Sequence, residues 1–414
     1  MDHKSDEHAT KMSQNNEFIA KPIETKMTHW VKSLITSFTL RFNTDESHFK
    51  IATSDEIKNK IYKFRYKIYH KELARDVVGE DIEHKMIKDE LDDDPNVILF
   101  YQEDNNKIIA TMRAMIFRPN QQPQQFLQLY DLDKYPWLNN YTICELSRLM
   151  VAKNYRHKLI ILRFLGSIVR MLGRKLEVRF IFLTCKPYLV SRYYFLGFRP
   201  YTRQMVSYPD GIEIPMFKLI DRSFLKQINS PTRFLFSNSH KINKTHRDEF
   251  LNSSTNPIIL DQKTLMPLIK NRMLAADFLP FFPKDIKLFQ ELMKYNCYAL
   301  IIKYPIELIH TKMVDKTIYL VIDGQVTVYV KNSKPIELGP GHLVGEFAYF
   351  LPKHKRTARV MSENSILFVI KESALNELMK HHKVLYIKFI NFIIQNLIYK
   401  ILIGNDNLKG HRHE

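Results

Sequence analysis

The sequence predicts an α+β chain of two folded units. The first is a mixed β-sheet with flanking helices; the second is a β-roll, jelly-roll-like, that ends in helices. Three observations carry this. From Phe49 to about Ile220, strand-like and helical stretches follow one another in the order β-α-β-β-β-α-β-α-β. Over 257–404, alternating apolar and polar runs precede two helical patterns at 372–380 and 384–403. Between them "DRSFLKQINSPTRFLFSNSHKINKTHRDEFLNSSTN" is rich in Asn, Ser, Lys and Thr and has no period, which reads as a linker. The divisions expected are therefore 1–47, 48–220, 221–256 and 257–408.

Taken in order, residues 1–47 form a polar leader. Its segment 27–42, "MTHWVKSLITSFTLRF", has helical apolar spacing and a basic face, suited to packing on its own domain or to peripheral contact with a membrane. "FKIATSDEIKNKIYKFRYKIYHKEL" predicts a strand, a Thr-Ser-Asp cap and an amphipathic helix. An acidic turn then leads into two strands joined at Asp104-Asn105-Asn106. "CELSRLMVAKNYRHKLIILRFLGSIVRMLGRKL" reads as a strand, a basic turn and a long helix, and "VRFIFLTCKPYLVSRYYFLGFRPYT" as a strand, a short helix and a Leu-Gly-Phe bend. In the second unit, "KTIYLVIDGQVTVYVKNSKPIEL" carries hairpin signals with a turn at Asp323-Gly324, and "ARVMSENSILFVIK" reads as a further strand pair.

Composition bounds the function. The chain has 414 residues, 45% hydrophobic and 12% aromatic, as a globular protein does. Its three cysteines, Cys144, Cys185 and Cys297, form no pair or metal pattern, and no metal is expected. The polar N-terminus lacks a signal peptide, and no stretch reads as long and apolar enough for a bilayer, which takes ~20 residues, so a cytoplasmic location is expected. The net charge of +18 suits a polyanionic partner, whether acidic protein or phosphate-bearing cofactor. No nucleic-acid-binding motif stands out, and none is expected as a partner.

Only 11 glycines occur in the chain, yet "ELGPGHLVGEFAYFLPKHKRTARV" places three of them within seven positions. Glycines let backbone N–H groups approach oxygen atoms. Arg356 can hold a phosphate in a planar fork, and Glu346 can accept from a hydroxyl. A loop with both suits a phosphorylated sugar.

This stretch resembles the phosphate-binding cassette of cyclic nucleotide-binding domains, and the likeness runs from about Leu279 through the last helix. It implies that Glu346 takes the ribose 2′-hydroxyl, Arg356 the cyclic phosphate, and Thr357 the phosphate or a guanine. The cassette would be completed by Gly345, Phe347, Ala348 and Ala358, with backbone N–H contacts from Gly345 and Ala358. The implied effector is cAMP rather than cGMP. The glycines usual near 304–315 are missing. Since the chain continues only briefly after Ile403, the output is expected from the N-terminal half.

There the element order and "YYFLGF" are similar to GNAT-type acyltransferases. Arg65 with Tyr69, then Asp89, Glu90, Leu91 and Asp92, then Arg113, then Glu145, Leu146, Ser147 and Arg148, resemble the signature of acyl-homoserine lactone synthases and bacterial N-acyl amino acid synthases. Ala110 stands where that family usually has Gly. The resemblance implies an N-acyltransferase taking an acyl group from acyl carrier protein or acyl-CoA to a small amine. Acetyl-CoA enzymes have a glycine-rich pyrophosphate turn where this chain has Arg156, His157, Lys158, Leu159, Ile160 and Ile161. Arg156 and Lys158 are expected on the donor, and the backbone of Leu149, Met150 and Val151 on the thioester carbonyl. Glu145 is expected as base and Tyr193 as the acid toward the leaving thiolate, with Tyr194 as substitute. Arg113 and Arg148 either hold an acceptor carboxylate or pair with Asp89 and Asp92. Two other readings stand: a cAMP-regulated protein lysine acetyltransferase using acetyl-CoA, and a non-enzymatic cAMP sensor. The last helix, capping the nucleotide or meeting the other half or a second subunit in a homodimer, is the expected moving part.

Overall fold

The computed structural model describes residues 40, 46–72, 79–156, 159–202, 204–208, 211–237, 242–252, 259–260, 262–274, 285–295, 297–311, 316–331, 333–350 and 358–409. The amphipathic segment expected at 27–42 lies outside them apart from Leu40, which is buried.

Strand β1 (Lys50–Ile51) leads through Ser54 into helix α1 (Asp55–Tyr66). The Ser54 hydroxyl accepts from Ile57 N at 3.4 Å, so the cap expected from the sequence is made. A π-helical turn, Lys67–Glu72, continues the helix. The small ribbon β2 (Glu80–Asp81) and β3 (Met86–Ile87) precedes the hairpin of β4 (Val97–Asp104) and β5 (Lys107–Phe117). Asn105 and Asn106 sit between them at φ +50° and +59°, the left-handed pair a two-residue hairpin turn needs. Then come α2 (Gln124–Leu129), β6 (Ile143–Val151), α3 (Leu159–Lys175), β7 (Phe180–Cys185), α4 (Val190–Phe195), β8 (Arg199–Pro200), β9 (Val206–Tyr208) and β10 (Gly211–Leu219). They form one mixed sheet in the order β1-β4-β5-β6-β7-β10-β8, with β9 on β10; only β6 and β7 are parallel. Burial on both faces explains the apolar run Phe180–Leu183 of β7 and the largely apolar composition of β5, in which Thr111 and Arg113 are buried with hydrogen-bond partners.

The described parts of the expected linker, 221–237 and 242–252, are folded. Helices α5 (Arg222–Gln227) and α6 (Lys244–Asn252), with a 3-10 turn at Pro231–Leu235, bring Phe224, Leu225, Leu235, Phe236 and Phe250 into the core of the first sheet. Each short element contributes only one or two apolar side chains, which leaves no period to read.

The second unit holds β11 (Ile259–Leu260), α7 (Gln262–Met273), α8 (Ile286–Lys294), β12 (Tyr298–Ile302), β13 (Ile306–Ile309), β14 (Ile318–Val330), β15 (Ile336–Leu338), β16 (Leu343–Val344), α9 (Phe347–Phe350), β17 (Ala358–Ile370), α10 (Glu372–His381) and α11 (Lys383–Lys409). The expected turn at Asp323-Gly324 and the expected strand pair over 358–371 are each a bend within a single strand. Asp323-Gly324 lies inside β14 and Asn364 inside β17, with the two strands paired along their length through register shifts on either side of Asp323. Gly324 at φ +74° and Asn364 at φ +45° take the left-handed conformation that a hairpin and a bulge share, and a Cβ at Gly324 would collide with the Asn364 carbonyl.

Helix α11 corrects another expectation: by length and composition, Lys383–Leu402 is apolar enough to cross a membrane. One face of it, Leu385, Phe389, Phe392 and Ile393, is buried in the core of its own unit, while Val384, Ile387, Ile394, Ile398 and Ile401 are exposed. The two units touch through Ser207, whose hydroxyl donates to the Glu307 carbonyl at 2.5 Å, and through Lys371, whose ammonium lies 3.3 Å from the Tyr188 ring centroid.

Candidate functional site

The parallel ladder between β6 and β7 joins only Ile143, Cys144 and Glu145 to Phe180, Ile181 and Phe182. Both strands run on, so beyond Glu145 they diverge, and among the described strands none pairs with β6 at Leu149, Met150 and Val151 on the β7 side. On its other side β6 bulges. Thr111 pairs with Met150 and Arg113 with Ser147, which sets Arg148 and Leu149 together against Met112. Arg148 takes φ +55°, a backbone state that costs a non-glycine residue roughly 1–2 kcal/mol. Bulges of this kind re-aim a side chain, here onto Asp89.

Five charged groups meet there. Buried Arg65 donates to Asp92 Oδ2 at 2.6 Å. Arg113 reaches Asp89 Oδ1 at 2.5 Å, Asp92 Oδ1 at 3.3 Å and, through Nε, Ser147 Oγ at 3.0 Å. Arg148 donates to Asp89 Oδ2 at 2.6 Å, and the Asp89 backbone N–H to Asp92 Oδ2 at 3.1 Å. Burial pushes the Asp89 carboxyl up, but the charge of Arg113 and the hydrogen bond and charge of Arg148 outweigh it and hold it below its ordinary value. The residues of the sequence signature are thus brought together, and Arg113 and Arg148 are bound to Asp89. Among the described residues two Arg65 nitrogens have no hydrogen-bond partner, and its guanidinium lies 5.3 Å from the Tyr62 ring.

Glu145 lies where the two strands part. Its Oε1 accepts from the Tyr130 hydroxyl at 2.9 Å, and Tyr130 is in turn fixed by the Tyr201 hydroxyl, which donates to its carbonyl. Burial raises the Glu145 carboxyl; the Tyr130 hydrogen bond and the Arg113 charge counter only part of that. Tyr193 is also pushed up by burial, with smaller contributions from Cys185 and Glu213, so its phenol keeps its proton. Tyr194 instead lies under the Arg199 guanidinium, 4.5 Å away.

Arg156 donates to the Val151 carbonyl at 2.9 Å and to Glu72 at 2.5 Å. Lys158 lies outside the described residues. Sequence reasoning missed the cluster at the end of β7, where the Glu213 carboxylate accepts from Thr184 and meets Lys186 Nζ at 3.3 Å. These residues are distant in the chain and match no motif. It also missed Tyr130. A cavity of about 560 Å³ opens between the two units, lined by Asp131, Lys134, Thr202, Gln204, Lys303 and Tyr304 among others.

In the cassette, Gly345 takes φ +90° and turns the chain so that Glu346 points inward, fully buried. Phe347 is half-exposed and Ala348 buried at the start of α9. Ala358 opens β17 opposite Val330. Arg356 and Thr357 lie outside the described residues. The Glu346 carboxylate is paired with Lys400 of α11, which also donates to the Leu343 carbonyl. One turn earlier, the Asn396 amide accepts from Leu343 N at 3.4 Å and donates to the Gly341 carbonyl at 3.5 Å. In the sequence, Lys400 lies within the helical pattern at 384–403 and belongs to no motif.

Residues 60–217 match the family model of the N-acyl amino acid synthase FeeM, and residues 307–382 that of the cyclic nucleotide-binding domain. No curated protein matches the chain. Among solved structures, FeeM, an N-acyl amino acid synthase from uncultured soil microbes, is 11% identical at a TM-score of 0.34, covering 43% of this chain and 93% of that one. The CoA-dependent acyl-homoserine lactone synthase MesI is 18% identical at 0.32, covering 42% and 86%. A cyclic nucleotide-binding domain from Methylobacillus flagellatus is 18% identical at 0.31, covering 37% and 90%.

Proposed function

We propose that this chain, an acyl-transferring domain of the FeeM type joined to a cyclic nucleotide-binding domain, is an N-acyltransferase gated by cAMP. It moves an acyl group from a phosphopantetheine thioester to a small amine such as an amino acid. The observation that carries the reading is the parting of β6 and β7 at a partly buried glutamate. A thioester carbonyl laid along the free edge of β6 finds backbone N–H groups to stabilise its developing oxyanion. The amine attacks the carbonyl carbon; the C–N bond forms as Glu145 takes the ammonium proton. The C–S bond then breaks, and the thiolate takes a proton from Tyr193, whose phenol burial keeps protonated until that point. Asp89 and Asp92 neutralise Arg113 and Arg148 and fix the strand that bears Glu145.

The acceptor enters through the cavity at the junction, where Asp131 follows Tyr130 in the chain and Lys303, beside a Lys134 already paired with Asp131, can attract a carboxylate. Because Lys303 and Tyr304 belong to the nucleotide unit, nucleotide binding there alters the acceptor's wall. The donor is acyl carrier protein or acyl-CoA, both of which present the same arm; MesI, described as CoA-dependent, supports the second as much as the missing glycines support the first. The test is a screen of acyl carrier protein and CoA thioesters of several chain lengths against amino acids, with and without cAMP. Amide formed with a cAMP-dependent acceptor KM supports the proposal. Acetylation of protein lysines alone, or nucleotide binding without transfer from any donor, replaces it.

A further inference from the structure

We infer that Lys400 is the resting occupant of the nucleotide's hydroxyl site, so that the end of α11 and the ligand compete for one carboxylate. The inference rests on the nucleotide reading above and concerns a residue outside the cassette.

Glu346 is fully buried, and its two oxygens differ. One is paired with Lys400; the other, Oε2, is buried and has no hydrogen-bond partner among the described residues. A buried acceptor without a donor is unfavourable by roughly 1–3 kcal/mol, and the site is therefore incomplete. A sugar hydroxyl is a neutral donor of the right size to complete it. Entry is closed, however, because Glu346 has no exposed surface. The groups from α11 that close over it are Lys400, through Glu346 and the Leu343 carbonyl, and Asn396, through Leu343 N and the Gly341 carbonyl.

The helix is built to release that end first. Its first half is held by Leu385, Phe389, Phe392 and Ile393, all in the core. Beyond Leu397, the described side chains Ile398, Ile401 and Leu402 are exposed, and this part of the helix is tied down by the Lys400 ion pair and by the Tyr399 ring, 5.8 Å from that of His342. Lifting these residues uncovers less apolar surface than lifting the buried first half. A hydroxyl that takes the place of Lys400 on Glu346 shifts the equilibrium toward the lifted helix by its preference for that state.

Full-length protein and Lys400→Ala, Lys400→Met and Lys400→Arg are titrated calorimetrically with cAMP and with 2′-deoxy-cAMP, and hydrogen exchange is followed over 396–402. Freed of their plug, the Ala and Met variants bind cAMP about 5–150-fold tighter, the usual span of such coupling, and Lys400→Arg stays near the parent. In the parent, cAMP speeds exchange over 396–402 and the deoxy analogue does not. Equal cAMP affinity in parent, Ala and Met variants, with the fold intact, overturns this inference alone. If no form binds any cyclic nucleotide, the nucleotide reading falls and this inference with it; faster exchange in Lys400→Ala then reports only a structural tie. Should Lys400→Ala melt early, Lys400→Met, which keeps the apolar stem, carries the comparison.

Discussion

Asp89 and Asp92 sit among three guanidiniums and a backbone N–H; Glu145 meets one tyrosine hydroxyl, and Glu346 one ammonium with an oxygen left bare. All four carboxylates are buried or nearly so, yet they lie in opposite states. The aspartates are saturated, so ordinary folding energetics account for them. The glutamates are short of donors, and a group with unused capacity is one a substrate can complete. On the function proposed above, the difference would separate scaffolding from chemistry better than burial does.

The comparison can be broken most severely at Asp92. Asp92→Ala leaves Arg65 and Arg113 buried without their counter-ion and is expected to cost about 3–5 kcal/mol; a denaturant midpoint close to the parent's would show that the network is not structural. Glu145→Gln should act in the reverse sense, lowering turnover by about 10²–10⁴ while leaving stability within about 1 kcal/mol. Retained turnover with early melting assigns Glu145 to packing. Tyr130→Phe removes the hydrogen bond that stabilises the Glu145 carboxylate. Its pH–rate profile should move to higher pH, at a stability cost of about 0.5–1.5 kcal/mol, and an unmoved profile excludes Glu145 as the titrating base.

The smallest effect separates the two classes by sign. The Glu145 carboxyl is raised from its ordinary 4.5 in the folded chain, so its contribution is fully present below that value and is lost as pH rises through the folded one. Asp89 is lowered from 3.8, so its contribution is present above 3.8 and is lost as pH falls through the folded value. Stability curves of Glu145→Gln and Asp89→Asn, each subtracted from the parent's, should slope in opposite directions with pH in the acid range; parallel slopes would refute the contrast.

Much of the fold was legible because its signals are local. Ser54 caps α1, Asn105-Asn106 turn the β4–β5 hairpin, and Gly345 presents Glu346, each through a property of one or two residues. What escaped depended on distance. Asp323-Gly324 has the same local preference in a turn and in a bulge, and only pairing with β17 decides which forms. The helices of 222–252 bury Phe224 and Phe250 one at a time against a sheet made elsewhere. At the candidate site, the charged signature was readable as a set, but its pairing was not. Tyr130 on Glu145 and Lys400 on Glu346 join positions 15 and 54 residues apart with no motif between them.

The bulge at Arg148 has a consequence for how such strands change over generations. It sets two residues, Arg148 and Leu149, opposite Met112, while Ser147 and Met150 keep their partners on either side. Deleting Arg148 or Leu149 alone would close the bulge and leave Ser147 opposite Arg113 and Met150 opposite Thr111, with Met150 still against Phe64 and Ile68. The strand can therefore lose a residue there without losing its register, and what it forfeits is the bend that aims Arg148 at Asp89.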